Sequence, residues 1–383
     1  MTVCLRKTRS IGSFTFLKYP IRFRFPPPFP SPLRFRPSPA FFFGDIFGNI
    51  PEMPGENFQK FTQEKNFMKK SIFFSAIFAL LLTMGLSVTS AFAQGTAVND
   101  SELRILSFNI RLSYGEIGKP HEWKNRKAQV FDIMRNGGYD LIGVQEAIMT
   151  PDPNLDQVGN LKDALPEYGM LVRSRMKSPT EGESTPILWR KDRWEIDAQE
   201  QGVFWLSDTP AVPQSATWGN HCPRTVIWGK FHELKDGKRT GRAVYFLNTH
   251  LDHESEKARQ LASVQIAEFA AKRADQSAPV FVTGDFNTGE DTATISYFTG
   301  KKTNIQGEEK VSPLPMVDTF RVANPDEQLV RTYNGFNSTN PRGKKIDYIM
   351  MHGDLKVKSA KIIREKKELF PSDHYPIDAV MEW

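Results

Sequence analysis

The stretch "VTGDFN" sets Asp285 and Asn287 on either side of Phe286, at the end of an apolar run and directly after Gly284. A carboxylate and a carboxamide this close supply an acceptor for a water's proton and a donor for an anionic oxygen. The pattern recurs. Other short apolar runs end at, or begin just after, Asn109 in "LSFNIR", Glu146 in "GVQE", His250 in "NTHLD", Asp347 in "KIDYI" and Asp373-His374 in "SDHYP". Each has an ordinary explanation alone: a turn Asn, a solvated Glu, an Asp bonded to its own backbone, an ion pair of Asp347 with Lys344 or Lys345. Their joint placement at run ends has no such explanation. Together they suit hydrolysis of a phosphate ester. A hard dication takes carboxylate and amide oxygens and retains water. A carboxylate accepts the water's proton, and a cationic histidine offsets the charge that grows on phosphorus oxygens. Gly284 would let the backbone come close where substrate must fit.

The runs that position these groups are 103–110, 140–146, 185–190, 203–206, 225–231, 243–251, 279–286, 345–351 and 375–382. Their length and their β-branched and aromatic content predict strands. Side chains alternate along a strand, so Ser107 shares a face with Asn109, and Asn248 and Asp252 share one with His250. Helical spacing marks 121–136 and 254–273, the latter with Ala258, Ala262, Ile266 and Phe269 on one face. Strands outnumber helices and connections vary in length, which predicts packed mixed sheets with helices outside.

The ends of the chain read differently. Residues 1–67 mix Arg, Phe and Pro without a period and read as a leader that either precedes the true start at Met68 or is disordered. Residues 68–93 have the layout of a secretory signal peptide: Lys69 and Lys70, an apolar stretch, then Ala91-Phe92-Ala93 for cleavage after Ala93. A short linker, 94–101, would precede a single domain over 102–383. The expectation is an exported protein, periplasmic or secreted, without a stable membrane anchor and monomeric. The whole chain is formally +6, but residues 94–383 hold 38 Lys/Arg against 40 Asp/Glu, a formal −2. No global basic field therefore draws nucleic acid to the mature part. Cys4 falls in the leader, leaving Cys222 alone in the mature segment, with no internal disulfide and no thiolate metal site expected.

The blocks "LSFNIR", "GVQE", "NTHLD", "TGDFN", "KIDYI" and "SDHYP", in this order, resemble the signature of the endonuclease/exonuclease/phosphatase superfamily over 102–383. The nearest likeness is to its nocturnin-type and sphingomyelinase-type branches. The resemblance implies a deoxyribonuclease I-like α/β fold, a four-layer sandwich of two mixed β-sheets flanked by helices. It implies a metal-dependent phosphoric ester hydrolase, with Mg2+ (or Mn2+) held by Glu146, Asn109 and Asp373. The attacking water would be oriented or deprotonated by Asp285. Asn287 would bind phosphate, His374 would stabilise the pentacoordinate phosphorane and Asp347 would orient His374. His250 would be the second histidine of the nuclease and sphingomyelinase branches. Arg126 in "WKNRK", Arg224 in "RTVIW" and Asn334 in "TYNGF" are candidate substrate contacts. The expected activity is phosphodiester hydrolysis on an unassigned substrate. Extracellular DNA or RNA, a sphingomyelinase or phospholipase C-like reaction, and a non-catalytic binding module on the same fold are the alternatives.

Overall fold

The computed structural model describes residues 101–383. The leader, the signal peptide and nearly all of the linker lie outside the described residues. Two six-stranded mixed sheets dominate. In order across the first are β15 (Lys356–Ile362), β16 (Ile377–Glu382), β1 (Glu102–Asn109), β2 (Leu141–Gln145), β6 (Ile187–Arg190) and β4 (Tyr168–Leu171). Across the second are β13 (Val317–Asp318), β14 (Asp347–His352), β10 (Val280–Asp285), β9 (Lys238–His250), β8 (Thr225–Lys235) and β7 (Trp194–Trp205). Two ribbons, β3 (Ala147–Met149) with β5 (Gly182–Ser184) and β11 (Thr303–Ile305) with β12 (Glu308–Lys310), complete the strands. The helices are α1 (Trp123–Asn136), α2 (Gln157–Ala164), α3 (Glu256–Ala271), α4 (Ala293–Phe298) and α5 (Thr319–Ala323).

The central strands are apolar on both faces because both faces are covered. Leu103, Ile105 and Leu141 of the first sheet meet Phe246, Phe281, Ile349 and Met351 of the second in one core. The alternate residues Leu106, Phe108, Ile142 and Val144 pack outward on Val130 and Met134 of α1 and Leu161 of α2. Leu247, Val282 and Met350 pack outward on Ala258, Ala262 and Ile266 of α3. The result is the expected four-layer sandwich.

The inward face changes character along each strand. After Leu103 and Ile105 come Ser107 and Asn109; after Phe246 come Asn248 and His250; after Phe281 come Thr283 and Asp285. The layer between the sheets is therefore apolar through its centre and polar at one end. Asn248 fastens the sheets where the two zones meet. Its amide donates to the carbonyls of Val144 (2.8 Å), Thr185 (3.1 Å) and Pro186 (3.0 Å), and its oxygen accepts from Gln145 (2.8 Å) and Thr283 (3.1 Å). Gly143 makes the room, since a Cβ there would lie 2.3 Å from Thr283 Oγ1 and 2.6 Å from Asn248 Oδ1. Gly143→Ala is expected to destabilise the protein by about 1–3 kcal/mol through overpacking. The accompanying fall in Tm, measured by calorimetry, should be at least a few degrees; an unchanged Tm would refute the clasp.

Cys222 is buried. Among the described residues, no helix is long and apolar enough to cross a membrane.

Candidate functional site

The polar end of the sandwich collects the strand-end residues by strand register. Asp285 is paired across β10 and β14 with Asp347, and across β10 and β9 with His250, so one rung of the second sheet carries all three. In the first sheet Asn109 is paired with Gln145, and Glu146 follows at once. The segment before β16 brings Asp373 and His374 to the same end through an isolated bridge between His374 and Tyr333. Asn109, Glu146, His250, Asp285, Asp347, Asp373 and His374 are all buried.

Asn109 Nδ2 donates to both Glu146 Oε1 (3.0 Å) and Asp285 Oδ2 (3.1 Å), drawing two carboxylates from different sheets together. The Leu112 backbone N–H donates to Glu146 Oε2 at 3.0 Å. Asp285 accepts the Asn287 backbone N–H at 2.9 Å. The Asn287 amide meets His250 Nε2 at 2.9 Å and donates to the Leu251 carbonyl at 3.1 Å. Two histidines face one oxygen: His250 Nε2 lies 3.4 Å and His374 Nε2 3.5 Å from Asp285 Oδ2. Glu146, Asn287 and Arg111 hold left-handed backbone (φ 62°, 51° and 55°), strain of the kind that gathers at functional sites.

His374 Nδ1 lies 2.9 Å from Asp347 Oδ2. Burial opposes the imidazolium, but the Asp347 and Asp285 carboxylates outweigh it and push His374 up to about 10. Its other ring nitrogen, Nε2, is buried and makes no hydrogen bond. A charged donor is thus held with one N–H committed to a carboxylate and the other available to an anionic oxygen.

Two carboxylates and an imidazole nitrogen gather where a dication would fit. Glu146, His250 and Asp285 offer ligand atoms within 4.8 Å of one another. Asp373 is tied to this group through a residue that sequence reasoning passed over. The Arg111 guanidinium lies 3.7 Å from both Glu146 and Asp373 and is bonded twice to Glu116 (2.9 and 3.0 Å). Glu183 was also missed, since the "EGES" around it shows no period. It sits in the β5 ribbon, pairs with Arg175 at 2.6 Å and lies 3.7 Å from His250 Nδ1.

Two expected substrate contacts, Arg126 and Asn334, are buried against main-chain groups. Arg126 is fully buried and gives its guanidinium to the carbonyls of Ile110, Arg111 (2.6 Å), His121 (2.9 Å) and Pro371 (3.0 Å). It clamps the segments behind Asn109 and Ser372, with most of its N–H donors committed to main-chain carbonyls. Asn334 is buried as well; its side chain donates to the Ser372 carbonyl at 3.2 Å and accepts from the Phe336 N–H at 2.8 Å. Its backbone N–H holds the Asp373 carbonyl at 2.8 Å, so it shapes the Asp373-His374 loop. Arg224 behaves differently. It is buried beside Asp252 (3.6 Å) and His253 (2.8 Å), while its Nε and Nη1 have no hydrogen-bond acceptor. Burial, and then the like charge of Arg175, pull its guanidinium down to about 10. Gly284 does approach closely, but its neighbour is the Thr249 carbonyl, 2.1 Å from where a Cβ would stand. Its need is strand packing and not access for substrate.

Residues 106–374 match the model of the endonuclease/exonuclease/phosphatase family. An endonuclease/exonuclease/phosphatase from Bacteroides vulgatus is 28% identical, covers 74% of this chain and 99% of its own, and superposes with a TM-score of 0.64. A mannosyl-6-phosphatase from Bacteroides thetaiotaomicron is 27% identical over 73% of this chain and 100% of its own, with a TM-score of 0.63. The human nocturnin catalytic domain with a bound sulfate anion shares the fold, at 16% identity over 74% of this chain and 94% of its own, with a TM-score of 0.54. A comparison with curated proteins finds no match.

Proposed function

Because the chain belongs to the endonuclease/exonuclease/phosphatase family, we propose that it is an exported, Mg2+-dependent phosphoesterase that hydrolyses its substrate by in-line attack of an activated water. One observation carries the reading. A buried, charge-bearing imidazole, His374, points a hydrogen-bond donor with no acceptor at the region where Asp285 and His250 also converge. Asp285 takes the proton of the attacking water. His374 Nε2–H donates to a nonbridging oxygen as negative charge builds there, and Asn287 and His250 lie alongside to hold the same group. Asp347 keeps His374 oriented and protonated. Glu146, Asn109 and Asp373 are the residues that would hold the metal, whose positive charge offsets that of the phosphate. Export is inferred from "MKKSIFFSAIFALLLTMGLSVTSAFA".

Diester hydrolysis follows from the nearest branches of the resemblance. A monoester reading gains support from the likeness to the mannosyl-6-phosphatase. DNA or RNA is less well supported, since the −2 balance of residues 94–383 offers no general attraction to a polyanion. The test is hydrolysis of bis-p-nitrophenyl phosphate and p-nitrophenyl phosphate by the purified protein before and after chelation. EDTA is expected to remove essentially all activity, and Mg2+ or Mn2+ to restore it. Full activity after exhaustive chelation would refute metal dependence.

A further inference from the structure

We infer that Arg111 is a resident cation of the metal site, supplying the positive charge that a second divalent ion would bring, so that the protein takes one such ion and not two. The inference rests on the metal-dependent reading above. Arg111 follows Asn109 by two residues and holds left-handed backbone (φ 55°). Its main chain is fixed on both sides. The N–H donates to Asn109 Oδ1 at 3.0 Å, and the carbonyl accepts from Gln157 Nε2 at 2.9 Å and Arg126 Nη2 at 2.6 Å. The guanidinium is fixed as well. Its Nε and Nη2 both donate to Glu116 Oε1, at 3.0 and 2.9 Å. Gly115 leaves the space this needs, since a Cβ there would stand 2.9 Å from Nη2.

Held this way, the guanidinium faces the proposed metal-holding carboxylates without bonding to them. Nη1 lies 3.7 Å from Glu146 Oε2, and Nε lies 3.7 Å from Asp373 Oδ2, too far for hydrogen bonds. These contacts therefore act through charge and do not use up the carboxylates' lone pairs. Glu116, which anchors the guanidinium, has a further cation in Lys119 at 3.4 Å, so it does not by itself offset the Arg111 charge. Water is largely kept out: the Arg111 side chain is 13% exposed, and those of Glu146 and Asp373 are 5% exposed. Charges about 4 Å apart in such a place interact several times more strongly than in bulk water. A guanidinium also keeps its charge at any working pH and is planar and rigid. One dication at Glu146, Asn109 and Asp373 thus meets a fixed like charge, and a second would meet both on carboxylates already shared.

The experiment counts Mn2+ bound to the purified protein by calorimetric titration, with free Mn2+ followed by electron paramagnetic resonance. No substrate is present, so the count is independent of turnover. The native protein is expected to bind one Mn2+ per chain. Arg111→Gln removes the charge and keeps an amide donor for Glu116. It is expected to take up a second Mn2+, or to bind the first at least about 10-fold more tightly. Arg111→Lys keeps the charge and should bind one Mn2+, as the native protein does. Two ions on the native protein would overturn the inference, and that arm needs no variant to fold. Unchanged or weaker binding by folded Arg111→Gln would also overturn it, since Arg111 would then hold the carboxylates in place and not offset their charge. A second ion on Arg111→Lys would overturn it as well. Each of these results leaves metal dependence intact; no Mn2+ binding by the folded native protein would overturn both.

Discussion

Asp285→Asn is expected to lower kcat by about 10²–10⁴-fold, the usual worth of a positioned general base. Asp285 is fully buried, and its Oδ2 is the point on which Asn109, His250 and His374 converge, at 3.1, 3.4 and 3.5 Å. An amide cannot take the water's proton. It also sets an N–H against Asn109 Nδ2, a donor facing a donor, which adds a stability cost of about 1–3 kcal/mol. Asp285→Ala avoids that clash and separates the two effects, since it loses the base without adding a donor. Both variants, checked for fold by circular dichroism, should be nearly inactive on every ester the native protein cleaves. A variant that keeps more than a tenth of the native kcat would show that another group activates the water.

The second large effect belongs to the His374–Asp347 pair. His374→Ala removes the donor to the developing charge and should cost about 10²–10³-fold in kcat, comparable to the loss of one transition-state donor elsewhere. Asp347→Asn tests the cause of the histidine's charge. With Asp347 present, His374 titrates at about 10, above the ordinary 6.5. The stability that this charge contributes is fully present below about 6.5 and is lost as pH rises through about 10. Activity that needs the imidazolium should likewise persist into alkaline solution. Without the Asp347 carboxylate the alkaline limb of the kcat profile should move toward acid by about 1–3 pH units. The double variant should cost little more than His374→Ala alone, because Asp347 acts through the histidine. An unmoved alkaline limb in a folded Asp347→Asn protein would remove Asp347 from its positioning role.

Much of this was written in the chain because it depends on local period. Alternation along "SFNI" and "NTHLD" put Ser107 on one face with Asn109 and Asn248 on one face with His250; the structure turns those faces inward. Helix was expected over 254–273 and observed over Glu256–Ala271, with Ala258, Ala262 and Ile266 against the second sheet. The six polar blocks, each closing or opening an apolar run, marked one end of a layered α/β fold, since strands that end in ligands and bases must end in the same place to act together. Distances and partners were not written there. That Asp285 shares a rung with both Asp347 and His250 follows from register between strands far apart in sequence. Arg126 and Asn334 carry groups suited to phosphate, yet burial beside main-chain carbonyls commits them to holding loops, because a buried carbonyl without a partner is costly. Arg111 and Glu183 gained their places from a left-handed turn after β1 and from a three-residue ribbon, neither of which leaves a periodic trace. Residue types and alternation set which chemistry the chain carries; packing of two sheets face to face, which no local pattern records, set which of those groups meet.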